Sequence, residues 1–203
     1  MPTAQDPPYT IIGTPFSTFT RTITLGLQHK GLPFKQLATK PQAPLAKENH
    51  PFGNLPTLII HEIDGKKVDL KLRESHAIVR YIDRIAPEPS LHLREGDAII
   101  PEKMWEFVSF VAFFGFPIVE GLVIKPRLKA LDEGKISDAE VREQIKDGVE
   151  EARHFLTLAE SLMAPEGYWE IVSPRLVAWT EKMDKLDAVK ATTAGTLSVG
   201  ARP

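Results

Sequence analysis

Residues 50–58 read HPFGNLPTL and residues 72–82 read LRESHAIVRYI, and these two segments decide the fold. In the first, Pro56 stands at the head of an apolar, strand-like run. A proline there cannot donate to a sheet ladder, so it marks an edge, a turn or a cis bond. In the second, Glu74 and Ser75 open an amphipathic helix, and the first N–H groups of a helix attract a carboxylate.

The first 85 residues predict a β-α-β unit followed by a β-β-α unit. A strand-helix-strand order of this kind normally gives a parallel strand pair. In chain order, the predicted elements are a strand at 9–12, a helix closed by Gly31, a strand at 34–38, a loop with about one helical turn at 40–52, strands at 58–60 and 68–72 joined by an Asp64-Gly65 hairpin signal, and a helix with Ile78 and Ile82 on its apolar face.

After a proline-marked boundary at residues 86–94, no strand pattern recurs and the chain predicts helices. The Ser137–Glu140 segment is a capping box, which opens a helix. Its predicted apolar stripe is Val141, Ile145, Val149, Ala152, Leu156 and Ala159. A later helix begins at Ser173-Pro174 and carries Leu176, Trp179, Met183 and Leu186 on one face.

The predicted fold class is therefore α/β plus all-α, a thioredoxin-like domain followed by a helical bundle. The expected limits are 1–86 for the first domain, 95–190 for the second and 191–203 for a flexible tail. An aromatic cluster in the second domain is expected to be mostly bundle core. Its members are Trp105, Phe107, Phe110, Phe113, Phe114 and Phe116.

The amino-acid composition argues against several classes of function. The formal charge of -2 argues against a nucleic-acid partner, and the absence of cysteine excludes disulfides and thiolate chemistry from the chain itself. The six histidines show no helical i, i+4 pair, so no metal site is expected. We find no secretory signal and no uninterrupted apolar stretch of about 20 residues. A soluble cytoplasmic protein without a membrane partner is the expectation.

A hydroxyl stands between the first strand and the first helix, in the segment from Gly13 to Arg21. Ser17 in such a place is most often only an N-cap. The same geometry also suits chemistry, because a thiol held at a helix N-terminus and bonded by a hydroxyl loses its proton more easily. No cysteine is needed if the thiol arrives with the ligand.

Together, these motifs resemble the cytosolic glutathione S-transferases, and the Gly13, Ser17, Arg21 spacing resembles that of the serine-type members. In overall pattern the chain is most similar to plant and fungal phi- and theta-like members. The resemblance implies that Ser17 is catalytic and donates a hydrogen bond to the glutathione thiolate. Thr18, one residue further into the turn, is the reserve candidate.

The resemblance also implies the residues that hold glutathione. Leu55, before Pro56, would pair its backbone with the cysteinyl part as a short strand does. Asn54 would bond the glycyl or cysteinyl part through its side chain. For each of these residues an ordinary loop-to-strand turn is the alternative.

The γ-glutamyl end of glutathione would lie at the second motif. The resemblance implies that Ser75 and its N–H receive the γ-glutamyl carboxylate and that Glu74 receives the ammonium. Lys40 or Lys47 would contact the glycyl carboxylate, with Lys40 nearer the expected position. A solvated surface lysine is the alternative for both.

The implied activity is transfer of the glutathione thiolate to small apolar electrophiles, as in detoxification, with glutathione as cosubstrate and peroxide reduction as a further reaction. A homodimer is implied as well. The resemblance implies a capped central helix, and the sequence between Ala164 and Ser173 contains no such segment. The alternatives are therefore a non-catalytic module of the same fold, or a spliced or truncated product with impaired activity.

Overall fold

The computed structural model describes residues 6–92, 99–134, 136–162 and 184–192. The contacts divide the chain into two compact units, one of residues 1–92 with 180–203 and one of residues 93–179. The described residues 184–192 thus group with the first unit, whereas the predicted limits of 1–86, 95–190 and 191–203 assign most of them to the helical domain. We describe each unit by itself.

The first unit is a four-stranded sheet with helices, as the sequence predicted. The strand order is β2-β1-β3-β4, with β1 and β2 parallel and the other neighbours antiparallel. Its elements are β1 (Tyr9–Ile12), α1 (Thr18–His29), β2 (Phe34–Leu37), α2 (Pro44–Asn49), β3 (Thr57–Ile63), β4 (Lys66–Arg73), α3 (Ser75–Ile85) and, from the end of the chain, α8 (Asp187–Ala191).

The core of this unit lies between the sheet and helices α1 and α3. Alternate strand residues face it, because side chains in a strand point to opposite faces in turn. The helices contribute positions spaced by three or four residues, which form one face of a helix. The buried cluster consists of Tyr9, Ile11, Ile23, Leu27, Leu58, Ile60, Ile78 and Ile82.

The strand register brings four strand termini to one end of the sheet. Ile12 pairs with Leu37 on one side and with Thr57 on the other, and Thr57 pairs with Arg73. Neighbouring strands lie about 4.8 Å apart. We call this row the Ile12 end, and the predicted site segments all begin or finish beside it.

The second unit is helical throughout its described part. Its elements are α4 (Ile100–Phe110), two π-helical segments (Val111–Gly115 and Pro117–Ile124), α5 (Lys125–Glu133), α6 (Asp138–Gln144) and α7 (Lys146–Leu162). The predicted capping box is confirmed, because the Ser137 hydroxyl accepts from the N–H of Glu140 and the Glu140 carboxylate accepts from the N–H of Ser137.

The capping box does not open one long helix, and that prediction was wrong. α6 ends at Gln144, and its C-cap Ile145, with φ of -95° and ψ of 4°, interrupts the helix before α7 begins. Val141, Ile145 and Ala159 of the predicted stripe are buried before, at and after the break, but Leu156 is exposed and Phe155 is half-buried instead.

The expectation that the aromatic cluster is mostly core was also wrong. None of its six residues is fully buried, and Phe113 is 74% exposed. The helix Pro101–Ala130 is long and apolar enough to cross a membrane by length and composition, although Glu106 and Glu120 interrupt its apolar run. One helix of this kind is weak evidence for a membrane span, because the core helix of a soluble protein passes the same test. The absence of a membrane partner stays a prediction.

Three predictions fall outside the described residues. They are the helix that begins at Ser173-Pro174, the shortened connection from Ala164, and most of the tail after Thr192. Of the residues named for the helix that begins at Ser173-Pro174, only Leu186 is described, and it immediately precedes α8.

Candidate functional site

Every predicted site segment meets the sheet at the Ile12 end. Ser17 follows β1 by five residues, Leu55 and Pro56 immediately precede β3, and Glu74 and Ser75 immediately follow β4. Because Ile12, Thr57 and Arg73 are successive neighbours across the sheet, these segments are brought to one end of the unit. The N-termini of α1 and α3 both begin there.

Ser17 is the N-cap of α1. Its backbone is extended, with φ of -74° and ψ of 121°, and its Oγ accepts a hydrogen bond from the N–H of Thr20 at 3.3 Å. In this bond the hydroxyl is only an acceptor, so its own hydrogen stays available for donation. Ser17 is half-buried, while Thr18, the first residue of the helix, is exposed.

Gly13 lets the chain turn closely from β1 toward α1. A Cβ at this position would lie 2.4 Å from Oγ1 of Thr20, which is fully buried. The carbonyl of Gly13 also accepts from the Gln36 side chain at 2.8 Å. The glycine of the predicted motif thus has a packing reason, because any side chain would displace the first turn of α1.

The loop before β3 carries Asn54, Leu55 and Pro56. The Leu55-Pro56 bond is cis. Pro56 is buried, Leu55 is half-buried and Asn54 is exposed.

Glu74 and Ser75 form the N-terminus of α3. Glu74 is the N-cap with φ of 67° and ψ of 119°, a conformation that non-glycine residues adopt rarely. Its carbonyl accepts from the N–H of Ile78 at 3.0 Å, but its side chain does not cap the helix. The Glu74 carboxylate therefore does not cap the first-turn N–H groups of α3.

Lys40 lies in the segment after β2 and is exposed. This segment is fixed beside the loop before β3, because Gln42 donates its N–H to the Gly53 carbonyl at 2.9 Å and its side-chain amide to the Phe52 carbonyl at 2.7 Å. Lys47 lies on α2 and is exposed as well.

Sequence reasoning missed two residues that tie the loop to the start of α3. The buried His50 accepts the N–H of Phe52 on Nδ1 at 3.1 Å, and its Nε2 lies 3.7 Å from Oε1 of Glu74. Arg73 donates from Nε to the Asn49 carbonyl at 2.7 Å. The contacts of His50 with Glu74 and of Arg73 with Asn49 each span 24 residues of sequence, and no local pattern signals them.

Tyr9 carries a hydroxyl at the opposite end of β1, away from the Ile12 end. Burial raises the pKa of Tyr9 to about 12, with smaller contributions from Tyr81 and Glu62. Because Tyr9 lies away from the Ile12 end, its phenol is not part of the candidate site. Within the described residues, no group of three or more metal-binding side chains could hold a metal ion.

Comparison with known proteins finds a family model that matches part of the chain. Residues 11–90 match the family model of the glutathione S-transferase N-terminal domain. No curated protein matches the chain significantly.

Several solved structures share the fold. The chain is similar to glutathione transferase F7 from Populus trichocarpa, with 21% identity, a TM-score of 0.64 and coverage of 92% of this chain and 98% of that one. It is similar to a glutathione S-transferase-I bound with lactoylglutathione, with 18% identity, a TM-score of 0.66 and coverage of 93% and 99%. It is also similar to the glutathione transferase URE2P6 from Phanerochaete chrysosporium in complex with oxidized glutathione. The identity is 14%, the TM-score is 0.64, and the match covers 92% of this chain and 94% of that one.

These findings agree with the geometry at the Ile12 end. The family match covers the strands and helices that carry the predicted site, and the structural likeness extends over both units. Residues 11–90 are therefore similar to the glutathione S-transferase N-terminal domain, and the chain has the fold of the glutathione S-transferases.

Proposed function

We propose that this protein is a glutathione transferase that uses Ser17 to stabilise the thiolate of glutathione. The observation that carries the proposal is the convergence at the Ile12 end of two helix N-termini, one capped by Ser17 and one beginning at Glu74-Ser75. Both termini present positive partial charge, which favours an anion.

The Ser17 hydroxyl has two separate roles in this proposal. Its oxygen caps α1 by accepting from Thr20, and its hydrogen donates to the thiolate sulfur. A free thiol has a pKa of about 8.5, and a hydrogen bond to its anion together with the helix N-terminus lowers that value. The thiolate then attacks an electrophilic carbon, a C–S bond forms and the leaving group departs with its electron pair.

The remaining candidates orient glutathione. The backbone of Leu55, before Pro56, pairs with the cysteinyl part, and the amide of Asn54 bonds the same region. At the other end, Ser75 receives the γ-glutamyl carboxylate at the start of α3, and Glu74 receives the ammonium through its exposed carboxylate.

Lys40 is proposed for the glycyl carboxylate. The hydrogen bonds from Gln42 to the loop before β3 support this assignment, because they fix the Lys40 segment beside that loop.

Small apolar electrophiles are the proposed second substrates, and peroxide reduction is a further proposed reaction. A cytoplasmic homodimer without a nucleic-acid or membrane partner is the proposed working state. Light scattering of the purified chain tests the dimer, since a monomeric mass contradicts it.

The test is a pair of substitutions at Ser17, with conjugation of glutathione to an activated chloroarene as the assay. Both Ser17→Ala and Ser17→Gly remove the donor, but glycine at an N-cap costs only a few tenths of a kcal/mol against about 1 kcal/mol for alanine. We expect both variants to lose at least about tenfold in turnover, equivalent to ~1.4 kcal/mol, while glutathione affinity changes little.

Two control variants complete the experiment. Thr18→Ala removes the reserve hydroxyl, and Thr22→Ala removes an exposed hydroxyl that bonds within α1. Both are expected to keep wild-type turnover. Loss in Thr18→Ala with full activity in Ser17→Gly would transfer the role to Thr18.

A non-catalytic module of the same fold is the second candidate function. The exposed apolar residues of the second unit favour it, since such surface is typical of interaction sites. Glutathione binding by the wild type without turnover of any electrophile or peroxide supports this candidate. An unfolded or aggregated chain supports the third alternative, a spliced or truncated product.

A further inference from the structure

We infer that His50 is a positioning residue, which orients the Glu74 carboxylate toward the ammonium of an amino-acid-like ligand end. The inference rests on the proposed function, because it assigns a residue to the same site. It concerns a side chain that would not itself touch glutathione.

The tautomer of His50 follows from its surroundings. The side chain is buried, with the residue 3% exposed, and Nδ1 accepts the N–H of Phe52 at 3.1 Å. A ring nitrogen that accepts a hydrogen bond carries no proton, so the neutral ring bears its hydrogen on Nε2. Nε2 is the nitrogen that faces Glu74.

Glu74 needs an external contact to keep its carboxylate in one place. Its side chain is 79% exposed and does not cap α3. The Nε2 to Oε1 distance of 3.7 Å is longer than a hydrogen bond but short enough for an electrostatic contact between an N–H dipole and a carboxylate. The imidazole is rigidly packed, so it offers the carboxylate a fixed point of attraction.

A second contact runs beside the first. Arg73 Nε donates to the Asn49 carbonyl at 2.7 Å, so two successive residues of one segment contact two successive residues of the other. Residues 49–50 lead into the loop with Leu55, and residues 73–74 lead into the helix with Ser75. The pair of contacts therefore holds the two halves of the proposed glutathione site in register.

The expected effect is on binding rather than on rate. An ammonium held by Glu74 lies far along the ligand from the sulfur, so its contact is equal in the ground state and the transition state. Loss of such uniform binding raises the Michaelis constant and the dissociation constant but leaves kcat nearly unchanged.

The test compares two substitutions at His50. Asparagine can accept the Phe52 N–H through an Asx turn but is too short to reach Glu74. Glutamine can extend its amide toward Glu74. We expect His50→Asn to weaken glutathione binding by about tenfold with kcat within about twofold, and His50→Gln to recover most of the affinity. His61→Asn, a histidine that bonds Thr10 instead, is the matched control and should bind as wild type.

A double-mutant cycle with Glu74→Gln separates positioning from general destabilisation. If His50 acts through the carboxylate, His50→Asn should weaken binding no further in the Glu74→Gln background. Additive losses, or wild-type affinity in His50→Asn, would overturn the inference. If the wild type binds no glutathione, the proposed function fails, and the inference is then decided by histidine NMR. Nε2 of His50 must shift in Glu74→Gln, and an unchanged resonance would reject it.

Discussion

The two units use apolar residues in different ways. In the first unit, strands and helices with strict periodicity bury residues such as Ile11, Leu58 and Ile82 completely. In the second, a long run of apolar residues passes through π-helical geometry and leaves Phe113 and Leu122 exposed. Every residue assigned to the proposed site lies in the first unit, between Ser17 and Ser75.

This difference shows where a precise site can be built. A site needs side chains whose positions are fixed by packing and by hydrogen bonds. The Ile12 end has both, since a buried sheet lies behind it and the Gln42, His50 and Arg73 contacts connect its loops. The described helices of the second unit have fewer buried apolar residues per helix, so they define side-chain positions less strongly.

The largest expected effect tests directly whether the two units differ in how completely they bury apolar residues. Leu58→Ala empties a fully buried position on β3 and should cost about 2–5 kcal/mol, whereas Leu156→Ala on α7, 46% exposed, should stay within about 0.5 kcal/mol. Urea unfolding followed by far-ultraviolet circular dichroism measures both.

The tryptophans give a second readout, because all three follow residue 104 in the sequence. If Leu156→Ala lowers the free energy of unfolding as much as Leu58→Ala does, the exposed face of α7 is covered in solution and the contrast between the units is lost.

The β-sheet half could be predicted from sequence because its signals are local and agree with one another. Gly31 at φ of 64° and the Asp64-Gly65 pair at 51° and 75° stand where a helix ends and a hairpin turns. The alternation of apolar residues fixed which strand face is buried. For the same reasons the segments of the candidate site were found at the strand termini.

The rest could not be predicted, for physical reasons. Ile145 is apolar and sits in a helical pattern, and nothing local shows that the helix breaks there. Continuous apolar runs have no period that distinguishes a buried face from an exposed one, so the aromatic cluster was assigned to the core. The contact between His50 and Glu74 is set by the tertiary fold alone.

The second prediction concerns the stability of the first unit at high pH, where the phenol of Tyr9 ionises. Burial raises the folded-state pKa of Tyr9 from 10.0 to about 12, so folding favours the neutral phenol. This contribution is fully present below the unfolded value of 10.0 and is lost as pH rises through about 12. We expect the wild type to lose more stability over this window than Tyr9→Phe does.

The measurement is the urea midpoint of the wild type and Tyr9→Phe as a function of pH. The phenylalanine variant keeps the ring in the core and removes the titrating group. Parallel curves for the two proteins would show that the phenol is solvated and that the core at β1 is looser than described.

The smallest effect tests whether local order in the second unit depends on its capping box. Ser137→Ala removes the acceptor for the Glu140 N–H at 3.3 Å and should cost about 1 kcal/mol, seen as a lower urea midpoint of tryptophan fluorescence. The sheet unit should be unaffected, because the cap contacts only its own helix.

Lowering the pH gives a second test of the Ser137–Glu140 capping box. Hydrogen bonds from the backbone and hydroxyl of Ser137 lower the pKa of Glu140. A lowered folded-state pKa means that the contribution is present above the unfolded value and disappears as pH falls through the folded one. Glu140→Gln keeps the geometry of the box without a titrating group. The wild type should therefore lose its advantage over this variant in acid, and an advantage that persists at the lowest pH would show that it does not depend on ionisation of the Glu140 carboxyl.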